Sequence, residues 1–448
     1  MLSRKKFGLG IVGVILIAVI YYFTAGSEKL TNEMKMRVNT ELTMIKNNGF
    51  AVQERDIKEK TEHFVLSVND PKKIVNFFKQ QGSEMSMEDA KLLVGMKIGV
   101  DLQYLNDTYS ALSADMYPLN LPTAISNAKD LDNADKALIK QLNDMLKRKA
   151  LLVHVDFNKL LSSFKGYVKD IHETFTVETI VKVVLEGNTF EGKIKDDSLT
   201  NLSQKIKHIA VTSGDELDIT LNTLESQYTL DGASMYDSNY KYSIAQVKVG
   251  GKKKDNTFSL AMQKIQGNNE TSVKNNFANN KTQFQVKEIT LLDNKQKTKL
   301  LQSNFVFTIE NLDMDILKQL EAATTEEETN KLTQMLIAKG IKMEIPNFEV
   351  KKMEYLGKTF DGFALSSSLS FNKTANFSAI QTNPLAALSA INTKTKIILS
   401  DALFTLISQQ PKAMMLAMMI QPKVVNGKKV YELELKDGKL SVNGQSLM

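Results

Sequence analysis

The chain has 448 residues, 42% of them hydrophobic, and contains no Cys and no Trp. Its 57 basic and 51 acidic residues interleave to a formal charge of +6, which describes a solvated mixed-sign surface and no nucleic-acid footprint. Absence of Cys excludes thiol nucleophiles, disulfides and thiolate-held metal clusters, and 7% aromatics without Trp argue against stacking platforms for bases.

At the N-terminus Arg4-Lys5-Lys6 precede an uncharged stretch, Phe7–Phe23, and the next charge is Glu28. Such a run is long enough to cross a bilayer, and the basic residues hold its start on the cytoplasmic side. The small residues Thr24 to Ser27 raise the rival of a cleaved signal peptide, but the apolar run exceeds the usual h-region of about 7–15 residues. The expectation is a cytoplasmic tail at 1–6, a single transmembrane anchor at 7–25 and a stalk helix at 26–49, in which Leu30, Met34, Val38, Leu42 and Ile45 recur at helical spacing and Gly49 supplies the stop.

Residues 50–150 predict a mixed α/β region. Phe50–Val68 is strand-like, Asn69-Asp70-Pro71 opens a helix, and Ser86-Met87-Glu88-Asp89 resembles a capping box. Met96 to Tyr104 alternate as a half-buried strand, and a helix is expected near Ala134–Lys149. From Leu151 to 312 short alternating runs are separated by turn signals at Asp231-Gly232, Gly250-Gly251, Gly267-Asn268 and Asp293-Asn294, the pattern of an antiparallel meander. The basic run Lys252–Lys254 beside Gly250-Gly251 is read as part of a turn. A helical insertion is expected at 313–340, with Thr325 and Glu328 as a capping box and Gly340 as the stop. A second β module follows at 341–448. It contains an amphipathic helical block over Pro384–Ile420 and ends in a hairpin that turns at Asp437-Gly438.

One phrase occurs twice, Gly187-Asn188-Thr189-Phe190-Glu191-Gly192 and Gly357-Lys358-Thr359-Phe360-Asp361-Gly362. The first copy, followed by Lys193, resembles a phosphate-binding loop, but Ile194 stands where Ser or Thr must hold magnesium. Glu191 and Asp361 would repel an anion. Both copies are therefore read as hairpin turns, hinting at two related sheet modules.

Catalytic signatures are missing. His63, His154, His172 and His208 show no metal-ligand spacing, so each is expected on the surface or satisfied within a strand, and no cofactor or metal site is expected. Asp196-Asp197 and Glu326 to Glu328 are carboxylate clusters, assigned to a loop and to the first turn of a helix. No nucleophile elbow is present, and Ser366 to Ser368 fall within an alternating strand. The one stretch above background is the apolar block with Met414, Met415, Leu416, Met418, Met419 and Ile420. Methionine makes a soft, adaptable surface. With Leu403 and Leu406 this block is either a helix packed on the sheet or the lip of a groove for an apolar chain or a partner.

The arrangement resembles the YdgA-like family of bacterial proteins, a family of unknown function. The likeness is carried by the basic N-terminus with its span, by the G-x-T-F-[ED]-G phrases, and by the ending Asp437-Gly438-Lys439-Leu440-Ser441-Val442-Asn443-Gly444-Gln445. It implies an inner-membrane anchor, a cytoplasmic N-terminus and a periplasmic bulk, with no reaction and no catalytic residues to carry over. The expected fold class is α+β and β-rich, a single transmembrane helix followed by a large antiparallel meander with packed and inserted helices. The expected function is a non-enzymatic envelope role, binding a lipid-like amphiphile or a partner protein. The alternatives are a periplasmic hydrolase built on dispersed carboxylates and His, or a purely structural envelope module.

Overall fold

The computed structural model describes residues 32–80, 85–105, 110–127, 131–176, 179–195, 198–214, 216–232, 234, 236–253, 256–294, 296–323, 325–372, 388–409 and 420–446. The chain is β-rich and antiparallel throughout, and it divides into two compact units, Met1–Glu225 and Ser226–Met448. The division falls inside strand β11 (Leu217–Leu230). Among the described residues no helix is long and apolar enough to cross a membrane. The expected anchor at 7–25 lies outside the described residues, as does most of the methionine-rich block.

In the first unit, helix α1 (Asn32–Asn47) turns one stripe inward, burying Val38, Leu42 and Ile45. Phe50–Val68, expected as a single strand-like segment, is a hairpin: β1 (Phe50–Ile57) pairs with β2 (Thr61–Val68). The charged Lys58-Glu59-Lys60 form its turn, with Lys58 N–H bonded to the Thr61 carbonyl at 2.8 Å. Helix α2 (Pro71–Gln80) starts as expected, its first N–H groups at Lys72 and Lys73 donating to the Asp70 carboxylate at 3.1 and 3.2 Å. It buries Ile74, Phe77 and Phe78. Helix α3 (Met87–Leu92) is capped by Ser86, whose Oγ accepts from the Asp89 N–H at 3.0 Å.

Strands β3 (Lys97–Tyr104), β4 (Ser110–Pro118), β5 (Val153–Asn158), β6 (Ser163–Val168), β9 (Asn188–Lys195) and β10 (Ser198–Ser213) extend the sheet one beside the next from β2. One face carries Phe64, Leu66, Ile98, Val100, Met116, Val155 and Phe157 and forms the main core with the helices. Between β4 and β5 lie the short α4 (Thr123–Ser126) and α5 (Asn133–Lys147), the latter capped by Asp132. A second small core joins Met145 and Leu146 of α5 to Ile171 and Phe175 of β7 (Ile171–Thr176). β7 pairs with β8 (Ile180–Glu186), and β8 pairs with the far half of β10.

The register runs without slip from Phe164↔Gly192 to Thr176↔Ile180. Gly187 therefore marks a bend within one long strand, and the first GNTFEG copy is no hairpin turn. Gly192 is glycine because a Cβ there would meet the Phe164 ring at 2.4 Å. The second copy is a turn: Tyr355 pairs with Lys358 across Leu356-Gly357, both at positive φ.

In the second unit β12 (Ser238–Lys253), β13 (Asn256–Lys274), β14 (Phe277–Asp293), β15 (Gln296–Asp313), β16 (Lys342–Tyr355), β17 (Lys358–Phe371), β18 (Ile391–Ser400) and β20 (Lys428–Lys436) pair successively, all antiparallel. Gly250-Gly251 and Gly267-Asn268, expected as turns, lie inside β12 and β13. The strands are simply longer than the turn residues suggested. Gly267 serves the Tyr242 ring, whose nearest atom would stand 2.1 Å from an added Cβ. Part of the block expected to be helical, residues 391–400, is strand β18, while α8 (Asp401–Ser408) is helical as expected. The insertion forms α6 (Met314–Ala322) and α7 (Glu326–Ala338), with Thr325 accepting from the Glu328 N–H at 3.2 Å. These two helices pack over Ile309, Leu312 and Met343. Because β15 pairs with β16 across the insertion, a single sheet runs through it. The chain closes with β19 (Lys423–Val425), paired to β20, and with β21 (Lys439–Val442), which returns along β20 after Asp437-Gly438.

Candidate functional site

Of the residues anticipated for a groove, Leu403 is 4% exposed in α8, whose start is fixed by Ser400 Oγ accepting from the Leu403 N–H at 3.2 Å. Leu406 and Ile420 are half-buried. Met414, Met415, Leu416, Met418 and Met419 lie outside the described residues.

The second unit's sheet carries a different feature, assembled by register. Phe284 stands opposite Phe305, Phe305 opposite Phe348, and Phe348 opposite Leu365, which faces Ile397, which faces Tyr431. On the other side Tyr242 lies across Gly267 from Phe284. The adjacent row runs Ile244, Ile265, Val286, Ser303, Val350, Phe363 and Leu399. Side chains two apart on a strand share a face, so both rows form one apolar band. Eight strands at about 4.8 Å spacing make that band about 34 Å long, measured across the strands. Phe348 meets Phe305 edge-on at 5.8 Å and Phe363 edge-on at 5.3 Å.

Tyr242, Phe284, Phe305, Phe348, Leu365, Ile397 and Tyr431 are all only half-buried, while Ile265, Val286 and Val350 are at most 3% exposed. In an ordinary two-layer domain such a row would be covered completely. Here it keeps apolar surface in reach of solvent. Beyond the band the alternation skips a beat: Ile244 to Val247, Met262 to Ile265, Val286 to Ile289 and Val350 to Met353 are three apart. Lys264 and Gln302, next to Ile265 and Ser303, sit at this step with φ of 50° and 54°, and a left-handed residue interrupts the side-to-side alternation of an extended chain. Past the step one face is charged, with Lys299 Nζ 3.6 Å from Glu288 and 3.7 Å from Glu354.

The first unit offers a polar row on the sheet face away from its main core. His63, Asp101, Asp115, His154, Tyr167, Thr189 and Lys205 are successive cross-strand partners. His63 Nδ1 lies 2.6 Å from Asp101, which also accepts from Tyr117 Oη at 2.8 Å and from Lys149 Nζ at 3.1 Å. Burial pushes the Asp101 carboxyl up, but the His63, Tyr117 and Lys149 hydrogen bonds outweigh it and hold it below its ordinary value. His154 Nδ1 lies 2.7 Å from Asp115 and Nε2 3.3 Å from Asp156. His172 lies 3.7 Å from Glu186, and His208 Nδ1 lies 2.7 Å from Asn222.

Three histidines, His63, His154 and His172, thus meet carboxylates, the feature a hydrolase would need. Both ring nitrogens of His154 face carboxylates, so neither is aimed at a hydroxyl nucleophile. Among the described residues no cluster of His, Asp and Glu is arranged to hold a metal ion. The row was illegible in the sequence because its members lie far apart along the chain. The apolar band was legible only as alternation, without register.

Fold and faces together define a β-rich protein with a long antiparallel meander that presents a half-exposed apolar band. No protein-family profile, no curated protein and no solved structure matches the chain.

Proposed function

We propose that this chain is a membrane-anchored, extracytoplasmic, non-enzymatic binding protein whose meander holds the acyl part of an amphiphile. The observation that carries the reading is the half-exposed band through Tyr242, Phe284, Phe305, Phe348 and Leu365. Small-molecule sites are mostly apolar surfaces with polar groups at their margins, and the Glu288–Lys299–Glu354 cluster beyond the step supplies charge there. Arg4-Lys5-Lys6 followed by Phe7–Phe23 supports an anchor with its N-terminus in the cytoplasm, and the resemblance to the YdgA-like family supports the bacterial inner membrane.

Purified, delipidated chain should take up a fluorescent fatty acid, and Phe348→Asp should abolish uptake. Protein that neither co-purifies with lipid nor takes up the probe overturns the acyl reading. A protein partner recovered by crosslinking in membranes would then be the occupant. A reporter fused at the C-terminus should behave as extracytoplasmic, and the chain should resist carbonate extraction.

A further inference from the structure

The first unit holds a cleft of about 390 Å³ on the sheet face away from its core, at the lower end of the size range of small-molecule sites. Its wall is the Tyr167 ring, 44% exposed and stacked on His154 with centroids 4.8 Å apart. His154 is held by its Nδ1 hydrogen bond to Asp115 at 2.7 Å, with Asp156 3.3 Å from Nε2, which fixes the ring on which Tyr167 stacks. On its other side Tyr167 borders Thr189, a short side chain, and beyond it Lys205, whose ammonium is bound to Glu225 at 3.1 Å. Along the neighbouring row Lys165 stands opposite Glu191. Both are exposed, and among the described residues neither has an ion-pair partner.

The lining selects its ligand by exclusion. A phosphate or carboxylate would be repelled by Glu191 and by Asp156, which stands opposite Lys165 on its other side, and a cation by Lys165. A purely apolar molecule would strip water from these charges without replacing their hydrogen bonds. A polyhydroxylated ring meets every requirement: one hydroxyl accepts from Lys165, another donates to Glu191, and the C–H face of the ring lies on Tyr167. We infer that this cleft is a saccharide-binding site, with Tyr167 as the stacking platform and Lys165 and Glu191 as the hydroxyl-reading pair. It is separate from the apolar band, and either can fail without the other.

The test is saturation-transfer NMR and titration on the full chain in a detergent without sugar headgroups, with maltotriose, cellotriose and chitotriose as probes. At least one probe should bind through its ring C–H protons. Tyr167→Ala should weaken that probe at least tenfold, Tyr167→Phe should leave it within threefold, and Glu191→Gln should weaken it about tenfold by removing a charged acceptor. Should Tyr167→Ala fail to fold, the Glu191→Gln and Tyr167→Phe pair decides alone. Absence of binding for all three saccharides at millimolar concentration overturns the assignment. So does a Tyr167→Ala chain that folds and binds like the parent, or a Glu191→Gln chain with unchanged affinity. Saturation of the cleft by adenosine or inorganic phosphate in place of the saccharides does the same.

Discussion

Phe348 sits at the middle of the apolar band and is the place to perturb it. Truncation to Ala removes two edge-on ring contacts, to Phe305 at 5.8 Å and Phe363 at 5.3 Å. Such pairs contribute about 0.5–1.5 kcal/mol each beyond area burial. The side chain is half-buried, so about half of the roughly 1.5–3 kcal/mol of complete Phe burial is lost with it. Together the loss is about 2–4 kcal/mol. At roughly 2–4 °C per kcal/mol for a domain of this size, Phe348→Ala should lower Tm by about 4–16 °C in differential scanning. Uptake of fluorescent fatty acid should fall in parallel, while Phe348→Leu should retain most of it. A folded Phe348→Ala chain whose Tm moves by less than about 2 °C would show that the three rings do not support one another. Unchanged uptake by that chain would remove Phe348 from the binding surface.

Two other perturbations follow from named contacts in the first unit. Glu62, 2% exposed, accepts from Arg55 Nε and from Tyr104 Oη, each at 2.7 Å, and burial together with Glu62 pushes the Tyr104 phenol far above its ordinary range. Arg55→Met strands a buried carboxylate and should cost about 3–5 kcal/mol in urea unfolding, against about 1.5–3 kcal/mol for Tyr104→Phe. The pair Arg55→Met with Glu62→Leu should recover most of the loss, and equal midpoints for parent and Arg55→Met would refute the buried-charge account. For pH, Asp101 and Asp313 both titrate below the ordinary carboxylate value. In each, burial acts upward and is outweighed by hydrogen bonds, from His63, Tyr117 and Lys149 at Asp101 and from the Ile316 N–H and Lys339 at Asp313. A depressed acid stabilises the fold above its unfolded value near pH 4, and that contribution is lost as pH falls through the folded value. Stability should therefore drop on acidification below about pH 4, and Asp101→Asn should flatten that drop in pH-dependent denaturation.

Local physics made much of the fold readable from the chain alone. Helix starts at Pro71, Ser86 and Thr325 declared themselves because a cap acts within one turn of its own residue. The strands announced themselves by alternation, and Asp437-Gly438 by its need for positive φ. Glycine misled wherever its reason was a neighbour rather than a turn. Gly192 and Gly267 make room for the rings of Phe164 and Tyr242, and those rings arrive from other strands. Register, likewise, exists only between strands. It alone put Phe284, Phe305 and Phe348 in one row, and His63, Asp101, Asp115, His154 and Tyr167 in another. Composition and periodicity indicated many of the elements, because those depend on neighbours along the chain, but missed the 50–68 hairpin and the strand at 391–400. Which side chains share a face and meet across strands was decided by tertiary pairing, because cross-strand partners lie tens of residues apart and no local pattern encodes their alignment.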